Sequence, residues 1–329
     1  MMVAMTQHQM LPIVLFDTSV ASNNLGDEII MDAVERIVRQ TLPDAYAFRV
    51  QTHDAISAVS RAIAGRCALG IVGGSNLLKS RMRSRPLWKL TLRDALVLRN
   101  IVLLGVGYQY YDETRPSAYT RWLLGRILHR GAIHSVRDEY TKTKLAGLAH
   151  KVVNTTCPTL WELTEARCAA VSVARARAVV ALLTYYAPKP DIDRALLDEL
   201  ACRYEKIYFW PQQFEDLAYL RSLGSYPVEV ISPSVAAYTE FLEREPVDVV
   251  GSRLHGGIRA LQRGRRALVV AIDNRAPEIA RDTGLPVVAR TDLPAIRRWI
   301  EDPTPVRLRL PVPAIDEWRA GLVRAATAA

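Results

Sequence analysis

The chain has 329 residues, with 43 Lys and Arg against 34 Asp and Glu and a formal charge of +9. Half of it is hydrophobic and 23% is charged, which suits a packed core and excludes a disordered chain. No run approaches the roughly 18 uninterrupted apolar residues of a membrane span. The N-terminal stretch lacks a basic region followed by a long apolar core, so no secretory signal is expected. Cys67, Cys157, Cys168 and Cys202 lie far apart without C-x-x-C spacing, which favours a reducing cytoplasm and offers no zinc or disulfide framework.

The first predicted strand covers residues 11–17. Asn23-Asn24-Leu25-Gly26-Asp27-Glu28 then opens a helix with Ile29, Ile30, Ala33, Ile37 and Val38 at helical spacing. Further strands are expected at 46–50, 68–72, 101–106, 133–136 and 151–154, and the clearest helices at 87–99, 118–129 and 139–148. A second series begins after Cys157-Pro158, with strands at 179–184, 206–210, 228–231, 247–251, 267–272 and 287–288. Helices at 191–203, 214–223, 235–244, 256–263 and 277–283 separate them. Apolar strands divided by helices argue for parallel sheets covered on both faces. The expected class is α/β, with two Rossmann-like domains facing a cleft. The expected domains are 1–165, on the acceptor side, and 166–329, whose final helix at 315–326 is a candidate to return across the first.

The positive charge is densest in Lys79-Ser80-Arg81-Met82-Arg83-Ser84-Arg85, with more at 121–130, 259–266 and 290–298. Nucleic acid, anionic lipid and phosphorylated small molecules all suit such a chain, and so does an Arg-rich solvated surface with no partner.

Four loops carry polar residues at the carboxyl ends of predicted strands, where open α/β sheets place ligands. In the first, Asn24, Gly26 and Asp27 stand at a helix start, as an ordinary cap or as an anion site. In the second, Gly73-Gly74-Ser75-Asn76 permits close approach of a ligand or forms a tight turn. Neither it nor Gly105-Val106-Gly107 fits G-x-G-x-x-G, and no G-x-x-x-x-G-K-[ST] occurs, so dinucleotide and P-loop readings lack support. In the third, Arg137 ends a strand and is suited to a carboxylate or phosphate, or to an ion pair with Asp138 or Glu139. The fourth, Gly251-Ser252-Arg253-Leu254-His255-Gly256-Gly257, joins a cation, a group that titrates near neutral pH and backbone donors. His8, His53, His129 and His150 have no such surroundings and read as structural.

Together these loops resemble the polysaccharide pyruvyltransferase family. The likeness rests on Asn24-Leu25-Gly26-Asp27-Glu28, Gly73-Gly74, Gly105-Val106-Gly107, Ser135-Val136-Arg137-Asp138, Cys157-Pro158-Thr159-Leu160 and Gly251-Ser252-Arg253-Leu254-His255-Gly256, in that order. The resemblance implies a GT-B-like fold and transfer of pyruvate from phosphoenolpyruvate to a saccharide as a ketal, with phosphoenolpyruvate as co-substrate and no cofactor or metal. It implies Arg137 and His255 as catalytic, with Arg137, Arg253, Ser252, His255, Gly256 and Gly257 at the donor. Asn24, Gly26, Asp27, Gly74, Ser75, Asn76 and Tyr108 are the acceptor-side candidates. Ser75 and Asn76 depart from the three glycines the family often has there.

The expected acceptor is a cell-surface saccharide such as an exopolysaccharide, or its precursor, with a lipid carrier among the options. The alternative is a GT-B-type glycosyltransferase using a nucleotide sugar, and a third option, resting only on charge, is a non-enzymatic binder of anionic glycans or nucleic acid. A cytoplasmic location is expected, without nucleic acid as partner. The run from Lys79 to Arg85 and the Arg-rich helix after it are candidates for contact with anionic lipid at the inner face of the membrane.

Overall fold

The computed structural model describes residues 10–84, 86–148 and 151–328; Arg85 of the basic run, and His8 and His150, lie outside them. The chain divides into two compact units. One holds the residues up to Ala21, Met31–Pro158 and those from Pro311 onward, and the other holds Ser22–Ile30 and Thr159–Leu310.

The first unit is built from β1 (Leu11–Asp17), α1 (Leu25–Thr41), β2 (Ala45–Gln51), α2 (Ala58–Ala64), β3 (Leu69–Gly73), α3 (Leu92–Val97) and β4 (Ile101–Leu104). It continues with α4 (Ala118–Ile127), β5 (Ile133–Val136), α5 (Glu139–Leu145) and β6 (Lys151–Asn154). The first six residues of α1 group with the second unit and the rest with the first. β2, β1, β3 and β4 pair in that order, all parallel, and β5 pairs with β6. The Val106–Val136 bridge and a 2.8 Å bond from the Gly105 N–H to Ser135 Oγ join β5 to the chain leaving β4. In β1, residues 13–17 are buried without alternation, as a sheet covered on both faces requires.

Right-handed crossovers between strands added in one direction set α2, α3, α4 and α5 on one face of this sheet. One apolar cluster confirms it: Val14, Phe16, Val72, Ile101 and Leu103 from the strands meet Ala64, Ala95, Leu123, Leu124 and Leu145 from these helices.

The second unit runs α6 (Glu165–Ala169), β7 (Ala178–Leu182), α7 (Pro190–Arg203), β8 (Lys206–Phe209), α8 (Asp216–Leu223), β9 (Val228–Val230) and α9 (Val235–Arg244). It then adds β10 (Val247–Gly251), α10 (Leu254–Gln262), β11 (Ala267–Ala271), α11 (Arg275–Thr283), β12 (Val287–Ala289) and α12 (Leu293–Glu301). Its parallel sheet has the order β12-β11-β10-β7-β8-β9.

A single cut at 165/166 differs from these units in three places, the first being that residues 159–165 group with the second unit. The last helix, α13 (Val312–Thr327), belongs to the first unit: buried Trp318 donates its indole N–H to the Leu103 carbonyl at 3.0 Å, and Gly321 backs onto Ile133. Residues 22–30 belong to the second, held by the Leu25 N–H on the Gln212 carbonyl at 3.0 Å and by Gln213 Nε2 on Asn23 Oδ1 at 3.0 Å.

The helix expected at 87–99 begins later, at α3, because Thr91 and Asp94 form a capping box. Trp88 lies before it as a core residue, edge-on to Phe16 at 5.6 Å. α12, capped by Asp292 with Pro294 in its first turn, covers most of the Arg-rich stretch 290–298, for which no helix is expected from the sequence.

Candidate functional site

In the second unit the strand order reverses between β7 and β10, and ligands of open α/β sheets bind beyond the carboxyl ends at such a point. The residues there are Leu183-Thr184 after β7 and Ser252-Arg253-Leu254-His255 after β10. Gly251 has φ +153°, and a Cβ on it would lie 2.0 Å from the Leu182 carbonyl oxygen, so the turn requires glycine. Beyond it, Ser252 donates its backbone N–H to the Leu182 carbonyl at 2.7 Å and its hydroxyl to Thr184 Oγ1 at 3.0 Å.

Arg253 is buried and fully engaged. Its Nε donates to the Leu183 carbonyl at 2.9 Å, Nη1 to Gln213 Oε1 at 2.7 Å, and Nη2 to the Asp216 carboxylate. The Tyr186 ring lies 5.3 Å from its guanidinium carbon. Asp216 also accepts the backbone N–H groups of Gln212, Gln213 and Tyr185, so the Arg253 charge is matched on the spot. This ion pair ties the β7, β8 and β10 loops together.

His255 sits in the first turn of α10, a helix that starts without a side-chain cap, and it is 7% exposed. Gly256 is needed beside it: a Cβ there would lie 2.6 Å from Gln212 Nε2 and 2.8 Å from Leu182 Cδ1. A Cβ on Gly257 would press against Val269 at 2.9 Å. Gln212 is 2% exposed and its Nε2 has no hydrogen-bond partner. The position of Pro211-Gln212-Gln213, directly after a strand end, was the signal that could have found it.

Asn24, Gly26 and Asp27 lie in this same unit. Asn24 Oδ1 accepts the Gly26 N–H at 3.1 Å and Asp27 accepts the Ser22 hydroxyl at 2.6 Å, so the loop caps its own helix. Gly26 is packed near Gln212 Oε1 as well. A cavity of about 440 Å³ is lined by Ser22, Asn23, Glu28, Gln212, Gln213 and the exposed Phe214, among others.

In the first unit the order reverses between β1 and β3. Gly74 and Ser75, just past β3, both have positive φ (61° and 57°), and the Gly107 N–H donates to the Ser75 carbonyl at 2.8 Å. The Arg137 guanidinium lies flat on Gly107, where a Cβ would come 2.2 Å from Cζ. Arg137 is 2% exposed; its Nε donates to Asp138 Oδ2 at 3.0 Å, while its Nη2 has no hydrogen-bond partner.

Other buried side-chain atoms at these strand ends are equally unpaired: Thr18 Oγ1 after β1, Asn76 Oδ1 after β3, Gln109 Oε1 after β4 and Thr156 Oγ1 after β6. Buried polar groups normally find partners, so each of these atoms is a candidate contact for a polar ligand. Sequence reasoning found Arg137 and Asn76 but passed over Thr18, Gln109 and Thr156, whose types alone carry no signal.

Tyr108 is packed rather than open. It is 2% exposed, its hydroxyl is 2.6 Å from Ser80 Oγ, and burial pushes its pKa up to about 12. The exposed aromatics beside it are Tyr110 and Tyr111, which with Lys79 and Arg81 line a cavity of about 280 Å³.

Of the candidates for a structural role, His129 Nδ1 accepts the Gly131 N–H at 3.0 Å, and His53 Nδ1 lies 2.6 Å from Thr52 Oγ1. Among the described residues, no His, Cys, Asp and Glu side chains group as metal ligands, and no helix is long and apolar enough to cross a membrane.

No curated protein matches the chain in sequence. Among solved structures, a putative UDP-N-acetylglucosamine 2-epimerase from Listeria monocytogenes is similar, with TM-score 0.51 and 12% identity over 97% of this chain and 94% of that one. The UDP-GlcNAc 2-epimerase from Neisseria meningitidis, solved bound to UDP-GlcNAc, gives TM-score 0.51 and 10% identity over 97% and 100%. At such identity the likeness establishes the fold, two Rossmann-like units of the GT-B-like class, and nothing about substrate. The sequence profile of the polysaccharide pyruvyl transferase family matches residues 24–274, a span that contains the Arg137 and His255 loops. The chain therefore belongs to the polysaccharide pyruvyl transferase family.

Proposed function

We propose that this protein takes phosphoenolpyruvate as donor and forms a cyclic pyruvyl ketal on a saccharide, releasing phosphate. The observation that carries the reading is Arg137 Nη2, a buried guanidinium nitrogen without a partner, in a member of this family. A carboxylate or phosphate of the donor supplies the missing acceptor, and a guanidinium suits both.

A proton is delivered to the donor's methylene carbon, which becomes a methyl group, and the adjacent carbon becomes oxocarbenium-like. A sugar hydroxyl adds to that carbon and releases its proton. A second hydroxyl of the same sugar then displaces phosphate: the carbon–oxygen bond to phosphate breaks and the hydroxyl proton leaves with it. We assign proton delivery to His255, the imidazole of the β10 loop, a side chain able to hold and hand on a proton. Arg137 neutralises the donor's anionic groups. Arg253, bound to Asp216 and Gln213, is a positioning residue for the His255 loop rather than a counter-charge. The uncapped start of α10 adds backbone donors suited to phosphate. The proposed acceptor is a cell-surface saccharide or its precursor, and no cofactor enters the sequence.

The test is incubation with phosphoenolpyruvate and a panel of saccharides bearing free hydroxyl pairs, read by mass spectrometry and phosphate assay. A pyruvylated sugar with matching phosphate release supports the reading. Glycosyl transfer from a nucleotide sugar, without phosphate from phosphoenolpyruvate, overturns it.

A further inference from the structure

We propose that the outer face of the helical layer α2–α3–α4 binds the surface of an anionic lipid bilayer. Residues 55–111 hold nine basic residues and one acidic residue, a net +8 out of the chain's +9. The acidic one, Asp94, lies in the first turn of α3, fully buried and paired with Arg61 at 2.5 Å, so it adds no negative charge to the surface. α4 contains no acidic residue.

The same surface is apolar where a solvated helix is normally polar. Val59 on α2 is 70% exposed, Leu92 and Leu96 on α3 are 57% and 60%, Val97 is 39%, and Trp122 on α4 is 44%. Leu92 and Leu96 are one helical turn apart and therefore share a face. The three helices lie side by side over one sheet face, with α2 joined to α3 where Gly65 meets Val97. Exposed Arg66, Lys89, Arg93, Arg99 and Arg121 flank the apolar residues. The basic run is tied to the start of α4, because Thr120 accepts the Met82 N–H at 3.0 Å and donates to the Ser80 carbonyl at 2.9 Å.

The combination selects the occupant. Apolar side chains that enter the acyl boundary, ringed by cations at headgroup level, suit a monotopic membrane contact. A second copy of this face would bring two strongly positive surfaces together, and nucleic acid would leave the leucines in water. The face differs from the basic run singled out in the sequence: it is centred on α3, whose charge pattern alone is unremarkable.

The experiment is sedimentation of the full chain with phosphatidylcholine vesicles, with and without phosphatidylglycerol. Expected is partition onto the phosphatidylglycerol vesicles only, released by salt. Each charge removed in Arg93→Ala/Arg99→Ala should weaken it about fivefold. Leu92→Ser/Leu96→Ser should weaken it further without changing salt sensitivity, and a thermal melt checks that each variant is folded. No partition onto anionic vesicles, equal partition onto neutral ones, or partition unchanged by the arginine pair overturns the proposal. So does binding to a single-stranded oligonucleotide that the arginine pair abolishes and the leucine pair leaves intact, or a dimer that the leucine pair dissociates.

Discussion

Arg137 shows how one side chain can serve two readings. The ion pair that its neighbours in sequence suggested is present, through Nε and Asp138, and the guanidinium still keeps an unpartnered nitrogen. Its placement depends on Gly107, since any Cβ there would occupy the guanidinium's position. Gly107→Ala should therefore displace Arg137 and lower kcat/KM for pyruvyl transfer about hundredfold, the usual cost of a displacement near 1 Å. The chain should still melt cooperatively, as seen by circular dichroism. A variant that unfolds would show that Gly107 is needed for packing, and one that keeps full activity would show that Arg137 is not held in place by Gly107.

Ser75 makes the complementary case. At φ +57° a non-glycine residue is strained, and a glycine there would be free of that cost. Ser75→Gly should raise stability by about 1 kcal/mol in urea titration. A loss of stability would mean that the serine hydroxyl supports the loop.

At the scale of elements, the strands were the legible part. β1 falls where the sequence put it, and β5, β6 and β10 do as well, because continuous apolar runs between turn residues have few other uses. Strand order was not legible, and with it the two points where order reverses, since pairing is decided by contacts far apart in sequence. The stretch 22–30 reads as part of the N-terminal half by position, yet its Leu25 N–H bonds the Gln212 carbonyl and its Asn23 side chain bonds that of Gln213.

The Arg253–Asp216 pair belongs to this scale too, since it binds three loops and no local pattern announces it. Removing one partner leaves the other charge buried and unpaired. Asp216→Asn should cost about 3–5 kcal/mol, measured by urea unfolding with fluorescence of the second unit's buried Trp210. A cost under about 1 kcal/mol would mean that water reaches Arg253 and that the pair behaves as a surface ion pair.

Over the whole molecule, the family and fold class were readable because short motifs recur in a fixed order, each at a strand end. The partners of the charge were not. Of the net +9, all but one unit arises between residues 55 and 111, divided between the basic run from Lys79 and exposed Arg66, Lys89, Arg93 and Arg99 around an apolar helical face. Arg137 and Arg253, both buried, are separate from it and differ from each other: one guanidinium is left open and the other is closed by Asp216.

Ligand binding should register in stability as well as in turnover. Phosphoenolpyruvate at about a hundred times its Kd should stabilise the unit that binds it by about 2.7 kcal/mol, and Arg137→Ala should remove that gain. UDP and GDP should produce no comparable shift.

The central claim is the identity of the transferred group. The most direct measurement is a time course of phosphate released from phosphoenolpyruvate in the presence of a saccharide, with the saccharide's mass followed in the same samples. Pyruvyl transfer predicts one phosphate released per pyruvyl ketal formed, with both lost in His255→Ala. Saccharide gaining a glycosyl residue from a nucleotide sugar, with phosphoenolpyruvate untouched, would contradict it.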